Sequence, residues 1–318
     1  MNMKIYIDEN ELSSLLMNDA TANETLDKYF EFDDSAAFSV KYKLKNNIVV
    51  ERDSIVSKSF IGESFLSLAN WVARRKRLKI YTKSISKYPN RIRIVSEGDS
   101  WFQHPTVKEI IDHMLGRFSV LSLGAAGDDM SDYYRKAEYK SAIEDETPDF
   151  FVFSGGGNDL MGGHFDDYLN QYSDDINNEG AARFLNQRFH EKLDELILMY
   201  ESIFLELKTD FPSVTMLVHG YDYVIARDKK KGRWLGKCME NKGISTNQDK
   251  QGIIKVLIDT FNDRLSDLVT SHDNIEYLDL RGTVKEYQWH DEIHPNDLGF
   301  EQIAIKFINR INTVRMRP

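Results

Sequence analysis

Short apolar runs alternate with helical patterns of apolar and polar residues from about residue 89 onward. The strand candidates are residues 91–96, 119–123, 149–154, 214–220 and 274–280. The helix candidates are residues 106–115, 131–143, 181–208, 252–271 and 297–311. Such repeated strand–helix alternation predicts a parallel sheet with helices on both faces. The run Phe150-Phe151-Val152-Phe153 is apolar throughout, as expected for a strand buried on both faces.

Residues 1–88 do not follow this alternation. They predict a hairpin over residues 37–51, with its turn at Asn46-Asn47, and an amphipathic helix over residues 63–77. We interpret them as a small α+β N-terminal region of unknown role. Because the residue before a proline avoids the helical conformation, Tyr88-Pro89-Asn90 marks the expected boundary to a second domain, residues 89–318. The polar segment 221–250 lacks periodicity and reads as a lid or binding loop.

Composition narrows the class of protein. A chain of 318 residues that is 41% hydrophobic can bury a full core. Its net charge of -10 repels phosphate backbones, so no nucleic-acid partner is expected. The single cysteine, Cys238, excludes an intramolecular disulfide and fits a reducing compartment. No secretory signal and no apolar run of membrane-spanning length is evident, so we expect a soluble, cytoplasmic protein, with signal-independent export left open.

Glycine-containing segments follow the first two predicted strands. Gly98 would let the backbone turn sharply before Asp99 and Ser100. After the second strand, Gly127 can bring a backbone N–H close to a ligand oxygen, because no side chain intervenes. Taken singly, the Gly98-Asp99-Ser100 segment favours an ordinary turn between a strand and a helix, and the Gly127 segment fits such a turn as well as it fits a binding loop.

Two further polar segments follow later strands. Gly155-Gly156-Gly157 precedes Asn158, whose amide could donate to a developing oxyanion; the lysine of a phosphate-binding loop is missing. Asp291 and His294 are three residues apart, a spacing that can bring a carboxylate to an imidazole. Such a carboxylate fixes the tautomer of the imidazole and stabilises the imidazolium. A surface Asp–His pair is the alternative interpretation.

The four segments are more informative together. Ser100, Gly127, Asn158 and His294 each follow a different strand, so they are expected to converge on one edge of the sheet. A serine nucleophile, a histidine base, an orienting aspartate and uncharged donors are the groups that acyl transfer requires.

The order of these motifs resembles that of the SGNH (GDSL-type) hydrolases. The matching positions are Gly98-Asp99-Ser100, Gly127, Gly156-Gly157-Asn158-Asp159 and Asp291-Glu292-Ile293-His294. The resemblance spans about residues 91–310. It implies a three-layer α/β/α, flavodoxin-like fold with a five-stranded parallel sheet. It also implies ester hydrolysis without a metal or an organic cofactor. Two features depart from the family: Trp101, where many members carry Leu or Ile, and the N-terminal region.

The leading hypothesis is therefore an esterase-like or lipase-like serine hydrolase with a triad of Ser100, His294 and Asp291 and an acyl-enzyme intermediate. The resemblance implies that the N–H groups of Ser100 and Gly127 and the amide of Asn158 form the oxyanion hole. The substrate would be a small-molecule, lipid or acylated-carbohydrate ester. The alternatives are removal of O-acetyl groups from a polysaccharide, and a non-catalytic binding or scaffold protein.

Other polar residues have weaker assignments. Trp101, His219 and Tyr221 are predicted to line the pocket, and His290 is a distant second candidate for the base. No histidine has the spacing of a metal ligand, so no metal is predicted. The basic runs Arg74-Arg75-Lys76-Arg77 and Lys229-Lys230-Lys231 read as solvated faces. The alternative is peripheral contact with anionic lipid, worth about 1 kcal/mol per charge.

Overall fold

A computed structural model of the chain describes residues 4–8, 11–12, 14–15, 21–33, 41–45, 47–51, 60–104, 107–173, 180–227 and 234–316. The elements before the predicted boundary are β1 (Ile5–Asp8), α1 (Ala22–Tyr29), β2 (Phe30–Asp33), β3 (Lys41–Leu44), β4 (Ile48–Glu51) and α2 (Phe60–Lys87). The run Lys229-Lys230-Lys231 lies outside the described residues.

The strands of the N-terminal region pair differently from the predicted hairpin. β1 pairs in parallel with β4, and β2 pairs antiparallel with β3, so the prediction of one hairpin over residues 37–51 is wrong. The backbone at the turn bonds to other elements: the Lys45 N–H donates to the Tyr29 carbonyl, and the Ile5 N–H donates to the Asn47 carbonyl. An alternating pattern predicts a strand but does not determine which strand it pairs with. Here the partners are β1 and β2, which lie earlier in the chain.

A five-stranded parallel sheet forms the centre of the rest of the molecule. Its strands are β5 (Arg93–Gly98), β6 (Ser119–Ser122), β7 (Phe150–Ser154), β8 (Thr215–His219) and β9 (Ile275–Leu278). The strand order is β6-β5-β7-β8-β9, and every neighbouring pair is parallel. This is the flavodoxin-like order, with its crevice beside β5, which is the first strand of this sheet in chain order. The predicted fold class is confirmed.

Helices flank this sheet in two groups. They are α3 (Ile110–Met114), α4 (Met130–Lys136), α5 (Glu138–Glu146), α6 (Gly157–Met161), α7 (Gln187–Asp210), α8 (Leu235–Asn241), α9 (Asn247–Val269) and α10 (Asp297–Arg315). Short 3-10 helices occur at Phe165–Tyr168, Gly180–Phe184 and Glu286–Gln288. Helix α7 contacts α4 and α9, whereas α3 contacts α10. In the part of the chain that the structure describes, no helix is long and apolar enough to cross a membrane.

Local capping explains where the helices differ from the prediction. Helix α3 starts late because the Glu109 side chain accepts the Ile111 N–H and caps it. The predicted helix over residues 131–143 is two helices, because Ala137 adopts a left-handed conformation with φ 46°. The segment 221–250, predicted to be a loop, contains α8 and the start of α9.

Helix α2 is longer than the predicted 63–77 and ends just before Tyr88. Its C-terminal part packs along β6, where the Ser84 and Ser119 hydroxyl oxygens are 2.7 Å apart. The division of the chain at residue 88 stays a prediction. The helix that precedes this boundary nevertheless contacts the edge strand of the central sheet.

Candidate active site

The turn that carries Ser100 is held by close packing at the end of β5. A Cβ atom on Gly98 would lie 2.8 Å from both the Phe102 ring and the Ser154 Cβ, so the turn requires glycine. The Asp99 carboxylate accepts the Trp101 N–H and the Ser154 hydroxyl, each at 3.0 Å. These contacts hold Ser100 just beyond the carboxyl end of β5, where the residue is 2% exposed.

Asp99 also connects this turn to the third motif. The Tyr221 hydroxyl donates to Asp99 and accepts the Gly157 N–H at 3.0 Å. Burial raises the pKa of Asp99 above its usual value, although its hydrogen bonds from Tyr221, Trp101 and Ser154 oppose the rise. Asp99 thus joins the Ser100 turn to the end of β7 and to Tyr221. Tyr221, predicted to line the pocket, is buried, with its hydroxyl group bonded to the Ser100 turn through Asp99.

The loop that carries Asp291 and His294 is organised by its own backbone. Asp291 Oδ1 accepts the N–H of Ile293 at 2.9 Å and that of His294 at 2.7 Å. The His294 Nδ1 atom lies 2.9 Å from Asp291 Oδ2. Burial alone would raise the pKa of Asp291, but the charge and hydrogen bonds of His294 hold it well below its usual range. The carboxylate therefore stays ionised at neutral pH.

The two loops meet at one hydrogen bond. His294 Nε2 lies 2.8 Å from Ser100 Oγ, and His294 is fully buried. Since Nδ1 of His294 faces an ionised carboxylate, we assign the proton of the neutral imidazole ring to Nδ1. This leaves Nε2 free to accept the Ser100 hydroxyl proton. The Trp101 indole N–H donates to the Ile293 carbonyl at 3.1 Å and joins the loops a second time. The structure thus brings together Ser100, His294 and Asp291.

Gly127 and Asn158 lie on neighbouring loops. Gly127 has φ +88°, a conformation that favours glycine. The Asn158 side-chain amide donates to the Asp128 carbonyl at 2.7 Å, so it lies against the Gly127 segment. Among the described residues, the backbone N–H groups of Ser100 and Gly127 have no hydrogen-bond acceptor. N–H groups in this state can bind a ligand oxygen.

His219 lies behind Trp101. It is fully buried, and its ring stacks on the Trp101 indole with the centroids 5.9 Å apart. Its Nδ1 atom lies 2.8 Å from the Gly220 carbonyl oxygen. Burial lowers the pKa of His219 to about 4, so the ring is neutral at pH 7. The structure places both His219 and Trp101 in the aromatic packing beneath the site.

His104 is a close neighbour that the sequence did not single out. Its ring centroid is 4.5 Å from that of His294, and its Nδ1 accepts the Val107 N–H at 3.3 Å. Burial, followed by the charge of His294, lowers the pKa of His104 well below its usual value. His104 follows Ser100 by only four residues, but a histidine near a serine has no spacing rule that predicts this contact.

Three described residues could together hold a metal ion. One ligand atom each from His104, Asp291 and His294 lies within 4.8 Å of the others. His294 uses Nδ1 for Asp291 and Nε2 for Ser100, so a bound metal would have to replace one of these bonds. The expectation of a site without metal stays a prediction.

Glu292 is a second residue that the sequence did not reveal. Its buried carboxylate accepts four backbone N–H groups at 2.7–2.9 Å, from Arg227, Trp234, Leu235 and Gly236. The Trp234 ring in turn lies edge-on to His294, with centroids 6.4 Å apart. The loop that carries Asp291 and His294 is thus bonded to the segment that packs against it. Partners more than fifty residues away leave no signal in sequence spacing.

Cavities of about 490 and 690 Å³ occur on the surface of the part of the chain that the structure describes. The first is lined by residues at the opposite edge of the sheet, including Arg91 and Arg117, and the second by Tyr223, Arg227 and Trp289. Neither is lined by Ser100 or His294.

No protein-family model and no curated protein matches the sequence. Several solved structures are similar in fold. An extracellular lipase from Streptomyces rimosus is 14% identical over 69% of this chain and 99% of its own, with a TM-score of 0.49. Phospholipase A1 from Streptomyces albidoflavus is 16% identical over 70% and 99% (TM-score 0.45). AlinE4, an SGNH-hydrolase family esterase, is 13% identical over 72% and 98% (TM-score 0.36).

The central sheet and the sequence motifs agree independently of these comparisons. The strands have the flavodoxin-like order, and motifs follow β5, β6 and β7 at the carboxyl edge of the sheet, where the loop of Asp291 and His294 meets them. In strand order and in the positions of its four motifs, the chain resembles the SGNH (GDSL-type) hydrolases.

Proposed function

We propose that the protein hydrolyses carboxylic esters, with Ser100 as nucleophile, His294 as general base and Asp291 as the orienting carboxylate. One observation carries the proposal: an unbroken hydrogen-bond path runs from Ser100 Oγ to His294 Nε2 at 2.8 Å and from His294 Nδ1 to Asp291 at 2.9 Å. A serine hydroxyl alone is a weak nucleophile, and a hydrogen-bonded base supplies the activation it needs.

In the first half-reaction, Ser100 Oγ attacks the ester carbonyl while its proton passes to His294 Nε2. The imidazolium that forms lies against the ionised Asp291, which stabilises its charge. Collapse of the tetrahedral intermediate breaks the bond to the alkoxy group. His294 returns the proton to that leaving oxygen, so an alcohol departs and Ser100 remains acylated.

The oxyanion of the intermediate needs donors that are already in place. The N–H groups of Ser100 and Gly127 lack other acceptors among the described residues, and the Asn158 amide lies on the adjoining loop. We assign these three groups to the oxyanion. Each such donor typically contributes about 3 to 4 kcal/mol to the stability of the transition state.

The second half-reaction repeats the same proton transfers with water. His294 takes a proton from the water as it attacks the acyl carbon, and then returns a proton to Ser100 Oγ as the acid is released. These steps use only groups of the chain and water, so the proposal requires no cofactor.

Labelling with a small organophosphonate tests the proposal. Because Ser100 is only 2% exposed, a probe with a short alkyl group is the appropriate choice. We expect one phosphonyl group per chain, with the adduct mapped by mass spectrometry to the peptide that contains Ser100. Hydrolysis of p-nitrophenyl acetate should disappear in step with labelling.

Two variants make this experiment decisive. Ser100→Ala should lose both the label and the activity, whereas Ser131→Ala changes an exposed serine on α4 and should retain both. A well-folded wild-type protein that neither takes up the probe nor hydrolyses the ester would instead favour the scaffold interpretation.

A further inference from the structure

The basic run of α2 is divided between solvent and the interior. Arg75 and Lys76 are exposed, whereas Arg77 is only 4% exposed and the Arg74 side chain is 28% exposed. Arg74 and Arg77 are three residues apart, so they lie on the same face of the helix. The interpretation as a solvated face therefore holds for Arg75 and Lys76, whereas Arg74 and Arg77 contact the segments that follow β5 and β6.

Arg77 contacts the backbone immediately after the proposed nucleophile. Its Nη1 atom donates to the Phe102 carbonyl at 2.6 Å and to the Ser122 hydroxyl at 3.1 Å. Phe102 is two residues beyond Ser100, and Ser122 is the last residue of β6. One guanidinium group thus joins the turn after β5 to the end of the neighbouring strand.

Two carboxylates compensate the buried charge of Arg77. Arg77 pairs with Glu109 and with Asp112, the latter at 3.2 Å. Burial would lower the pKa of Arg77, but the two carboxylates raise it, so the guanidinium stays charged. A charged, planar group with several fixed donors holds carbonyl oxygens in a defined geometry better than a flexible ammonium does.

Arg74 contacts the loop that carries Gly127. Its side chain donates to the carbonyl oxygens of Leu123 and Gly124, the latter at 3.2 Å, and its Nη1 pairs with Glu138 at 2.7 Å. Gly124 is three residues before Gly127. The Ala125 N–H in turn donates to the Gly98 carbonyl at 2.9 Å, so this loop is bonded to the Ser100 turn as well.

We propose that Arg74 and Arg77 are positioning residues that hold the backbone N–H groups of Gly127 and Ser100 at the spacing an oxyanion requires. Helix α2 is then part of the catalytic unit, although it precedes the region that resembles the SGNH hydrolases. The proposal rests on the proposed ester hydrolysis. Its physical basis is that donors stabilise an oxyanion only when they are fixed before the charge develops.

Kinetics of Arg74 variants test this role. Arg74→Gln removes the charge and the fork of donors at a partly exposed position, so the fold should persist. We expect kcat to fall by between about 10-fold and 100-fold, because small displacements of reacting groups cost this much, while KM changes little. Arg74→Lys should recover less than half of the loss. Lys76→Gln, which changes an exposed neighbour on the same helix, should behave as wild type.

Guanidinium rescue distinguishes positioning from stability. Added guanidinium ion, at concentrations far below those that denature the protein, should restore part of kcat to Arg74→Ala and none to Ser100→Ala. A role confined to stability would change the melting temperature and leave kcat per folded molecule unchanged. Arg77→Lys provides the corresponding test at the buried position while preserving the charge.

Hydrogen exchange tests the positioning without reference to activity. In Arg74→Gln, amides of residues 122–128 should exchange faster than in Lys76→Gln, and in Arg77→Lys the increase should include residues 98–104. If the wild-type protein hydrolyses no ester, the proposed function fails, and the exchange rates still decide whether the arginines fix these loops. Unchanged exchange in both segments, or unchanged kcat in an active protein, would overturn the inference.

Discussion

Two fully buried imidazoles lie on the carboxyl side of strands of the same sheet, His219 at the end of β8 and His294 in the loop beyond β9, and their surroundings differ. His294 lies between the Asp291 carboxylate at 2.9 Å and the Ser100 hydroxyl at 2.8 Å. His219 lies in aromatic packing, and its Nδ1 atom is 2.8 Å from the backbone carbonyl oxygen of Gly220. Both were candidates from the sequence, one as the base and one as part of the pocket.

The comparison shows that burial alone does not make a histidine a base. Desolvation lowers the pKa of His219 to about 4, which removes its ability to hold a proton near neutral pH. At His294 the same burial is accompanied by an ionised carboxylate, which can stabilise a proton taken from serine. The regions therefore differ in chemistry rather than in accessibility.

The largest expected effect comes from removing the imidazole with the carboxylate partner. His294→Gln should lower kcat/KM for p-nitrophenyl acetate by at least about 10⁴-fold, because an amide cannot accept the Ser100 proton. Steady-state kinetics with circular dichroism of the folded protein measure this. His290→Gln is the matched control: His290 is exposed, four residues away, and its loss should leave the rate nearly unchanged.

Removing only the charge of Asp291 sharpens the comparison. Asp291→Asn should lower kcat by about 10³-fold to 10⁴-fold, because the amide can donate to His294 and stabilise the wrong tautomer. The pH–rate profile should recover part of the activity at high pH, where hydroxide can take the proton that the wrongly oriented imidazole cannot accept. A variant with wild-type kcat at pH 7 would show that the carboxylate is not required.

His219→Phe should have the smallest effect on the reaction and a distinct effect on stability. Between pH 6.5 and 4, His219 is protonated in the unfolded chain but stays neutral in the folded protein. The free energy of unfolding of the wild type therefore falls as the pH falls. The loss is on the order of 3 kcal/mol. Urea titrations at several pH values should show a shallower dependence in His219→Phe, with kcat within a few-fold of wild type. Retention of the full wild-type slope would contradict the assignment.

The central sheet could be predicted from the sequence for a physical reason. Strands buried on both faces, such as β7, are continuous apolar runs, and their carboxyl ends must share an edge. The Asp291–His294 contact was also readable, since it spans three residues. Its bond to Ser100 spans 194 residues and was accessible only through the motif order.

Other features depend on partners that spacing does not encode. Arg74 and Arg77 point toward the carbonyl groups to which they donate, just beyond the ends of β6 and β5. A run of four basic residues has the same sequence pattern when all four side chains are solvated. Pairing of β1 with β4 rather than β3 with β4 likewise depends on a segment about forty residues earlier. Short strands carry too few side chains to specify their neighbours.

The hydrogen bonds of Glu292 limit which changes the segment packed against His294 can tolerate. Four peptide groups of the segment over His294 converge on one carboxylate that sits between the aspartate and the histidine of the site. A change in the backbone at Arg227 or at residues 234–236 is therefore transmitted to the loop that carries Asp291 and His294, and a replacement that loses these four bonds would displace the His294 imidazole. Substitutions in residues 234–236 should therefore change side chains and keep the backbone N–H groups that Glu292 accepts.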